Sequence, residues 1–87
     1  MPRTAEPITV ALGRAIRERR DDLGLSQEQL AARCELHRTY LADVERGNRN
    51  PSLESIESIA KGLGVPVSEL FKHVERIRER GATGNGR

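Results

Sequence analysis

The stretch from Ser26 to Arg46 constrains the fold of this chain most, because it has the pattern of two short helices joined by a tight turn. Ser26 is a good N-cap, since its hydroxyl can accept a hydrogen bond from a backbone amide of the first turn. Apolar residues recur at helical spacing and predict one buried stripe on each helix. They are Leu30, Ala31 and Cys34 in the first helix, and Leu36, Leu41 and Val44 in the second. Helices this short are not stable alone, so the pair must pack on the rest of the chain.

The second helix of this pair, from about His37 to Arg46, carries polar side chains on the face opposite its apolar stripe. They are His37, Arg38, Thr39 and Asp43, with Arg46 one turn further on. Donors and acceptors of this kind read the edges of base pairs in the major groove of DNA. The stretch therefore predicts a helix-turn-helix that binds double-stranded DNA.

Three short motifs surround the turn: Ser26-Gln27-Glu28-Gln29-Leu30-Ala31, Glu45-Arg46-Gly47 and Pro51-Ser52-Leu53, with Leu41 and Val44 between the first two. With these motifs the chain resembles the phage-repressor class of DNA-binding domains (Cro/cI, or XRE) over Ile8 to Phe71. Within that class, the segment from His37 to Asn50 is similar to the controller proteins of bacterial restriction-modification systems. The resemblance implies an all-α, five-helix, lambda-repressor-like domain that acts as a homodimer on a pseudo-palindromic operator. It also implies a transcriptional regulator of its own gene and of a neighbouring endonuclease gene, with RNA polymerase as a further partner to consider.

Each exposed residue of this region has an expected role on DNA. Arg38 is the first choice for a forked contact to a guanine, and Thr39 for a thymine methyl group or a phosphate. The ring of Tyr40 is expected to pack inward while its hydroxyl reaches the DNA backbone. Gln27, at the start of the first helix of the pair, would offer its amide and a helix N-terminus to a phosphate. Four residues after the second helix are expected to hold the DNA backbone, namely Asn48, Arg49, Asn50 and Ser52.

Two further expectations come from the resemblance. The class usually has glycine in the turn, at a position with positive φ, where this chain has Glu35. A side chain there costs about 1 kcal/mol. The class also implies that Arg20 is bridged to Glu45.

Composition limits the other functions. The net charge is only +2 although 32% of the residues are charged, so DNA binding must come from the placement of charge. A single cysteine, Cys34, excludes an internal disulfide and is expected to be a small core residue. No signal peptide, membrane span, metal cluster, phosphate loop or catalytic arrangement is recognisable. We therefore expect a cytoplasmic, nucleoid-associated protein without membrane contact, cofactor, metal or enzymatic activity. A phage or plasmid-type repressor or an antitoxin of the same fold stays open, as does a helical interaction module that does not bind DNA.

Along the chain, we expect a flexible arm over residues 1–7, one domain over 8–80 and a disordered tail over 81–87. The first helix should run from Ile8 to Leu23, with both end residues on its inward face, and the fourth should begin its core stripe at Leu53. The last helix, to about Arg80, has an apolar ridge that is longer than a four-helix core needs. The expected dimer interface consists of Leu70, Phe71, Val74 and Ile77.

Overall fold

The structure, a computed structural model, describes residues 6–84, with the surroundings of side chains as far as residue 80. In this part of the chain all regular structure is helical, so the all-α, five-helix expectation is confirmed. The helices are α1 (Ile8–Asp22), α2 (Gln27–Cys34), α3 (Arg38–Glu45), α4 (Leu53–Leu63) and α5 (Val67–Gly84).

Serine N-caps place the starts of two helices. The Ser26 hydroxyl accepts from the Gln29 amide at 3.0 Å, and the Gln29 side chain accepts in return from the Ser26 amide at 2.8 Å. This reciprocal capping box satisfies two backbone donors that would otherwise have no partner in the helix. The Ser52 hydroxyl caps α4 with a single bond, accepting from the Ser55 amide at 3.0 Å. The cap at Ser26 was expected from the sequence, and the two caps together fix where α2 and α4 begin.

The helices pack around α1, which contacts α3, α4 and α5, while α2 lies across α3 and α4. One apolar cluster receives side chains from every helix. Its buried members are Ala11, Leu12, Ala15, Ile16, Leu30, Ala31, Cys34, Leu41, Val44, Ile59, Ala60, Leu63, Leu70, Val74 and Ile77. With no tryptophan, the core is built mainly from aliphatic side chains that interlock closely.

Gly13 allows α1 and α3 to approach almost to backbone contact. A Cβ atom at this buried position would lie 2.5 Å from the carbonyl oxygens of Val44 and Glu45. Because those atoms are backbone, α3 would have to move to accommodate any side chain. Gly13 therefore sets how deeply α3 sits against the rest of the domain.

Some expected core residues lie outside the core. Ile8 is 46% exposed, Leu23 39% and Leu53 76%, so their assignment to inward faces is wrong. Ile8 and Leu53 are the first residues of their helices, and Leu23 follows the last residue of α1. Helical periodicity identifies a face, but the neighbouring helices do not cover that face to its ends.

The expectation for α5 also needs correction. Val74 and Ile77 have no exposed surface and Leu70 is 2% exposed, all within a single chain. The reason is that α5 packs lengthwise along α1, so the ridge lies under the same core. Of the four residues expected to form a dimer interface, only Phe71 keeps part of its surface free.

The ends of the domain are more ordered than expected. Glu6 lies in the expected flexible arm, yet its Oε2 is 2.6 Å from Arg14 Nη1 and its carbonyl oxygen accepts from Arg78 Nε at 3.1 Å. Helix α5 continues to Gly84, so residues 81–84 are helical rather than disordered. Residues 1–5 and 85–87, the remainder of the expected arm and tail, lie outside the described part of the chain.

Candidate DNA interface

The turn between α2 and α3 contains the conformation that usually requires glycine. Glu35 has φ 57°, the one non-glycine residue with positive φ in the described chain. The turn is closed by the Leu36 amide, which donates to the Ala31 carbonyl at 2.9 Å, and by the Glu35 amide, which donates to the Ala32 carbonyl at 3.2 Å. The positive φ expected at this position is therefore confirmed. The turn forms although glycine is absent.

A buried ion pair fixes α3 against α1. Arg20 Nε and Nη2 donate to the two carboxylate oxygens of Glu45, at 2.7 and 2.9 Å. The side chains are 11% and 3% exposed, and Arg20 Nη1 also donates to the Leu25 carbonyl at 2.8 Å. The hydrogen bond to Glu45 raises the pKa of Arg20 above its ordinary value. The bridge implied by the family resemblance is thus confirmed, and its forked geometry is the strong form of such a pair.

Gln27 joins the same network. Its Nε2 donates to Glu45 Oε1 at 2.9 Å, which links α2 to α3 as well. The sequence suggested that this amide would bind a phosphate, but the structure uses it inside the protein. The backbone amide of Gln27, at the start of α2, can still face an anion.

Helix α3 separates into a buried and an exposed face. The inward residues are Leu41, Ala42, Val44 and Glu45. Of the polar residues expected on the outside, His37, Arg38, Thr39 and Arg46 are exposed and Asp43 is half-buried. The ring of Tyr40 is half-buried and packs against the core, as expected. Across residues 6–84, the side chains of Arg38 and Thr39 have no hydrogen-bond or ion-pair partner in the protein. They are therefore available to an external ligand.

Two arginines near the end of α3 are held by neighbours. Arg46 pairs with Asp43 one turn earlier. The Arg49 guanidinium lies over the ring of Tyr40, 4.9 Å from its centroid, in cation–π geometry. The sequence does not predict this stacking, since no helical spacing relates Tyr40 to a residue of the following loop. The contact orients Arg49 toward the exposed end of α3.

The loop after α3 is exposed at Asn48, Arg49 and Asn50. The Asn48 amide donates to the Asp43 carbonyl at 3.0 Å, which ties the start of the loop to α3. The Ser52 hydroxyl, by contrast, is occupied within the protein, where it caps α4 and contacts Ser55 Oγ at 3.0 Å. Capping is therefore the role that the structure gives to Ser52, and its contact with a phosphate stays a prediction.

Three other properties can be checked in the described residues: metal binding, membrane spanning and the environment of the cysteine. Between residues 6 and 84, no three His, Cys, Asp or Glu side chains form a group that could hold a metal ion. None of the described helices has the length and apolar character needed to cross a bilayer. Cys34 is 4% exposed, and burial raises the pKa of its thiol to about 11. It is a core residue, as expected.

The fold and the exposed face of α3 together define a helix-turn-helix domain of the phage-repressor type. A helix-turn-helix family model matches residues 16–70. The chain belongs to this family, together with controller proteins of restriction-modification systems.

Among its relatives, Control protein C.BamHI of Bacillus amyloliquefaciens is 48% identical over 65 residues, which are 74% of this chain and 80% of that protein. The clp gene regulator ClgR of Corynebacterium glutamicum is similar in structure, with a TM-score of 0.89 and 27% identity. That match covers 94% of this chain and 87% of ClgR. The restriction-modification controller protein C.Esp1396I, solved as a tetramer with its natural 35 base-pair operator, matches with a TM-score of 0.78 and 32% identity. The match covers 83% of this chain and 95% of that one.

Proposed function

We propose that the protein is a sequence-specific transcriptional regulator of the controller type, which binds a pseudo-palindromic operator as a homodimer. The observation that carries this proposal is the exposed face of α3, where Arg38 and Thr39 have no partner in the described protein. A buried ion pair and a close glycine contact hold the opposite face of the same helix. The result is a rigid helix that presents free polar groups, which is what reading a DNA groove requires.

In this role α3 lies in the major groove. The Arg38 guanidinium has the forked donors that match O6 and N7 of a guanine, and Thr39 can contact a thymine methyl group or a phosphate. The exposed residues Asn48, Arg49 and Asn50, together with the N-terminal amides of α2, would hold phosphates on either side. The base contacts select the sequence, and the phosphate contacts fix the position of the helix on the duplex.

The two-fold operator follows from the homodimer. Two copies related by a dyad place their α3 helices in successive major grooves about 34 Å apart. We infer that the regulated genes are its own and that of a neighbouring endonuclease, that RNA polymerase is a further partner, and that the protein acts on the nucleoid in the cytoplasm. None of these steps requires catalysis or a cofactor.

The test separates base reading from phosphate binding. An operator is first selected from a random duplex library with the full chain, and binding is then titrated against salt on operator and random DNA. We expect Arg38→Ala to cost about 1–3 kcal/mol on the operator, to relax the preference at one base position, and to change random binding much less. Arg49→Ala should weaken both duplexes alike and lower the salt-dependence slope by about one for each phosphate that it no longer neutralises.

Arg17→Ala is the matched control, because Arg17 is an exposed arginine of α1 without a partner within residues 6–84. It should leave the operator preference unchanged. If Arg38→Ala weakens both duplexes equally while Arg49→Ala abolishes the preference, the two roles are reversed. If the chain selects no sequence and its weak binding is insensitive to salt, the domain is an interaction module instead.

A further inference from the structure

A small cleft lies between the C-terminal half of α1 and the first half of α5, beside the turn that follows α4. Its volume is about 260 Å³, just below the usual range of ligand pockets, which starts at about 300 Å³. Arg19 lines it from α1, Val65 from the turn, and Leu70, His73 and Arg76 from α5. The proposed function uses α3, its flanking loop and the start of α2, so it assigns no role to this cleft.

Arg19 differs from the other partly buried arginines because it has no counter-charge. Between residues 6 and 80, three arginines are partly buried, namely Arg19, Arg20 and Arg78. Arg20 and Arg78 each have a carboxylate within ion-pair distance. Arg19 has none in that part of the chain: its Nε donates to the Leu63 carbonyl oxygen at 3.4 Å, and its two terminal nitrogens have no partner there. A partly desolvated guanidinium without a counter-charge is ready to bind an anion.

A second guanidinium and an apolar base complete the cleft. Arg76 is exposed on α5 and has no ion-pair partner within residues 6–80. Leu70 is 2% exposed and Val65 is partly buried, so the base of the cleft is apolar. The ring of His73 lies beside them, held by a hydrogen bond of 2.9 Å from its Nε2 to Glu18 Oε1. The cleft thus places two unpaired cations at the edge of an apolar surface.

We propose that this cleft binds a small monocarboxylate with an apolar body. The forked donors of Arg19 and Arg76 match the two oxygens of a carboxylate, and a charge-assisted pair of this kind is stronger than a neutral hydrogen bond. The apolar body lies on Leu70 and Val65, against the His73 ring. Ligand sites commonly combine apolar walls with a few convergent polar groups, as this cleft does.

Two carboxylates limit the charge that the ligand can carry. Asp22 and Glu69 also line the cleft. Glu69 Oε2 is 3.3 Å from Lys72 Nζ, whereas Asp22 has no ion-pair partner within residues 6–84. Because two guanidiniums and two carboxylates leave little net charge, a second negative charge on the ligand gains little attraction while its desolvation costs more. We therefore expect a singly charged carboxylate to bind in preference to a phosphate monoester or a nucleotide.

Benzoate is the first probe, because it is a singly charged carboxylate on a compact apolar ring. It is titrated into the isotope-labelled full chain at constant pH and ionic strength, and the backbone amide shifts are followed by NMR. Saturable shifts are expected at Val65, Leu70 and His73, with a dissociation constant of about 1–10 mM, since so small a ligand has few atoms to contribute affinity. Benzamide, with the same shape but no charge, should bind about tenfold more weakly. Inorganic phosphate, which lacks the ring, should give no saturable shifts at these amides.

Substitutions assign the binding to the cleft. Arg19→Gln and Arg76→Gln should each raise the dissociation constant of benzoate about tenfold, because each removes a charged donor. Asp22→Asn should lower it about two- to fivefold by removing a repelling carboxylate. Arg17→Gln is the matched control: it removes an exposed arginine of α1 that does not line the cleft, and binding should be unchanged. If Arg19→Gln fails to fold, Arg76→Gln decides, because Arg76 is exposed.

The assignment is overturned if benzoate gives no saturable shifts at the cleft, or if benzamide or inorganic phosphate binds there as tightly as benzoate does. It is also overturned if Arg76→Gln binds benzoate as tightly as the unchanged chain, or if Arg17→Gln weakens binding as much as Arg76→Gln does. None of these measurements involves DNA, so their result is independent of the proposed function.

Discussion

Removing the Glu45 carboxylate should be among the most damaging single changes in this domain. Glu45→Ala leaves the Arg20 guanidinium, at 11% side-chain exposure, with only the exposed Asp21 carboxylate at 3.7 Å as a counter-charge, and it takes the acceptor from the Gln27 amide. Breaking a buried pair in this way costs about 3–5 kcal/mol, whereas loss of an exposed pair costs about 0–1 kcal/mol. We expect a value near 3 kcal/mol, because Arg20 keeps its hydrogen bond to the Leu25 carbonyl.

The measurement is urea unfolding followed by circular dichroism, with the slope checked for two-state behaviour. For a domain of this size, the expected loss corresponds to a fall in Tm of roughly 12–24 °C. Glu69→Ala is the control, because it removes an exposed carboxylate from a pair with Lys72 and should stay within about 1 kcal/mol. Operator binding should fall in parallel with stability, because the pair positions α3.

A free energy of unfolding for Glu45→Ala within about 1 kcal/mol of that of the unchanged protein would refute the reasoning, since it would mean that water already compensates the charge of Arg20. A second comparison isolates the charge. Replacing Arg20 and Glu45 together by methionine should cost much less than removing Glu45 alone, because no unpaired charge is left behind. Equal losses would indicate that packing, rather than electrostatics, is what Glu45 contributes.

Three other changes test local features of the fold. Gly13→Ala should lower the free energy of unfolding in urea by about 1–3 kcal/mol and weaken operator binding, because its Cβ would overlap the Glu45 carbonyl oxygen. An unchanged urea midpoint would contradict the close approach of α1 and α3. Glu35→Gly should raise the free energy of unfolding by about 0.5–1 kcal/mol by relieving positive φ, and Glu35→Val should lower it; the reverse order would show that the turn is unstrained. Cys34, with its thiol pKa raised from 9.0 to about 11, should react with an aromatic disulfide at pH 8 about 100-fold more slowly in the folded than in the unfolded chain. The folded rate should rise as the pH approaches 11, and equal folded and unfolded rates would place the thiol at the surface.

Features encoded locally could be predicted from the sequence. The caps at Ser26 and Ser52 depend on residues within one helical turn, so the sequence is enough to place them. The same holds for the exposed face of α3, because helical periodicity determines it. The positive φ of Glu35 and the Arg20–Glu45 pair were different, because only the family resemblance led to them. Arg20 and Glu45 lie on separate helices, and no local pattern connects them.

Errors arose where the answer depends on how helices lie against each other. Periodicity correctly placed Val74 and Ile77 on one face of α5, but it carries no information about how far α1 covers that face. For the same reason the sequence did not predict the exposure of Leu53 or the stacking of Arg49 on Tyr40. A single sequence does not show how its helices and loops lie against each other, and each of these features depends on that arrangement.

One face of α3 packs in the core and the other faces DNA, and this separation affects how regulators of this type diversify. Leu41, Val44 and Glu45 hold the helix in place, while Arg38 and Thr39 have no polar partner within residues 6–84. Substitutions at the outer positions can therefore change operator preference at almost no thermodynamic cost to the fold. Successive mutations can therefore change the preferred operator while every variant along the way stays folded. The same separation makes the scaffold suitable for engineering, because a library randomised at the outer positions should retain most of its members as folded protein.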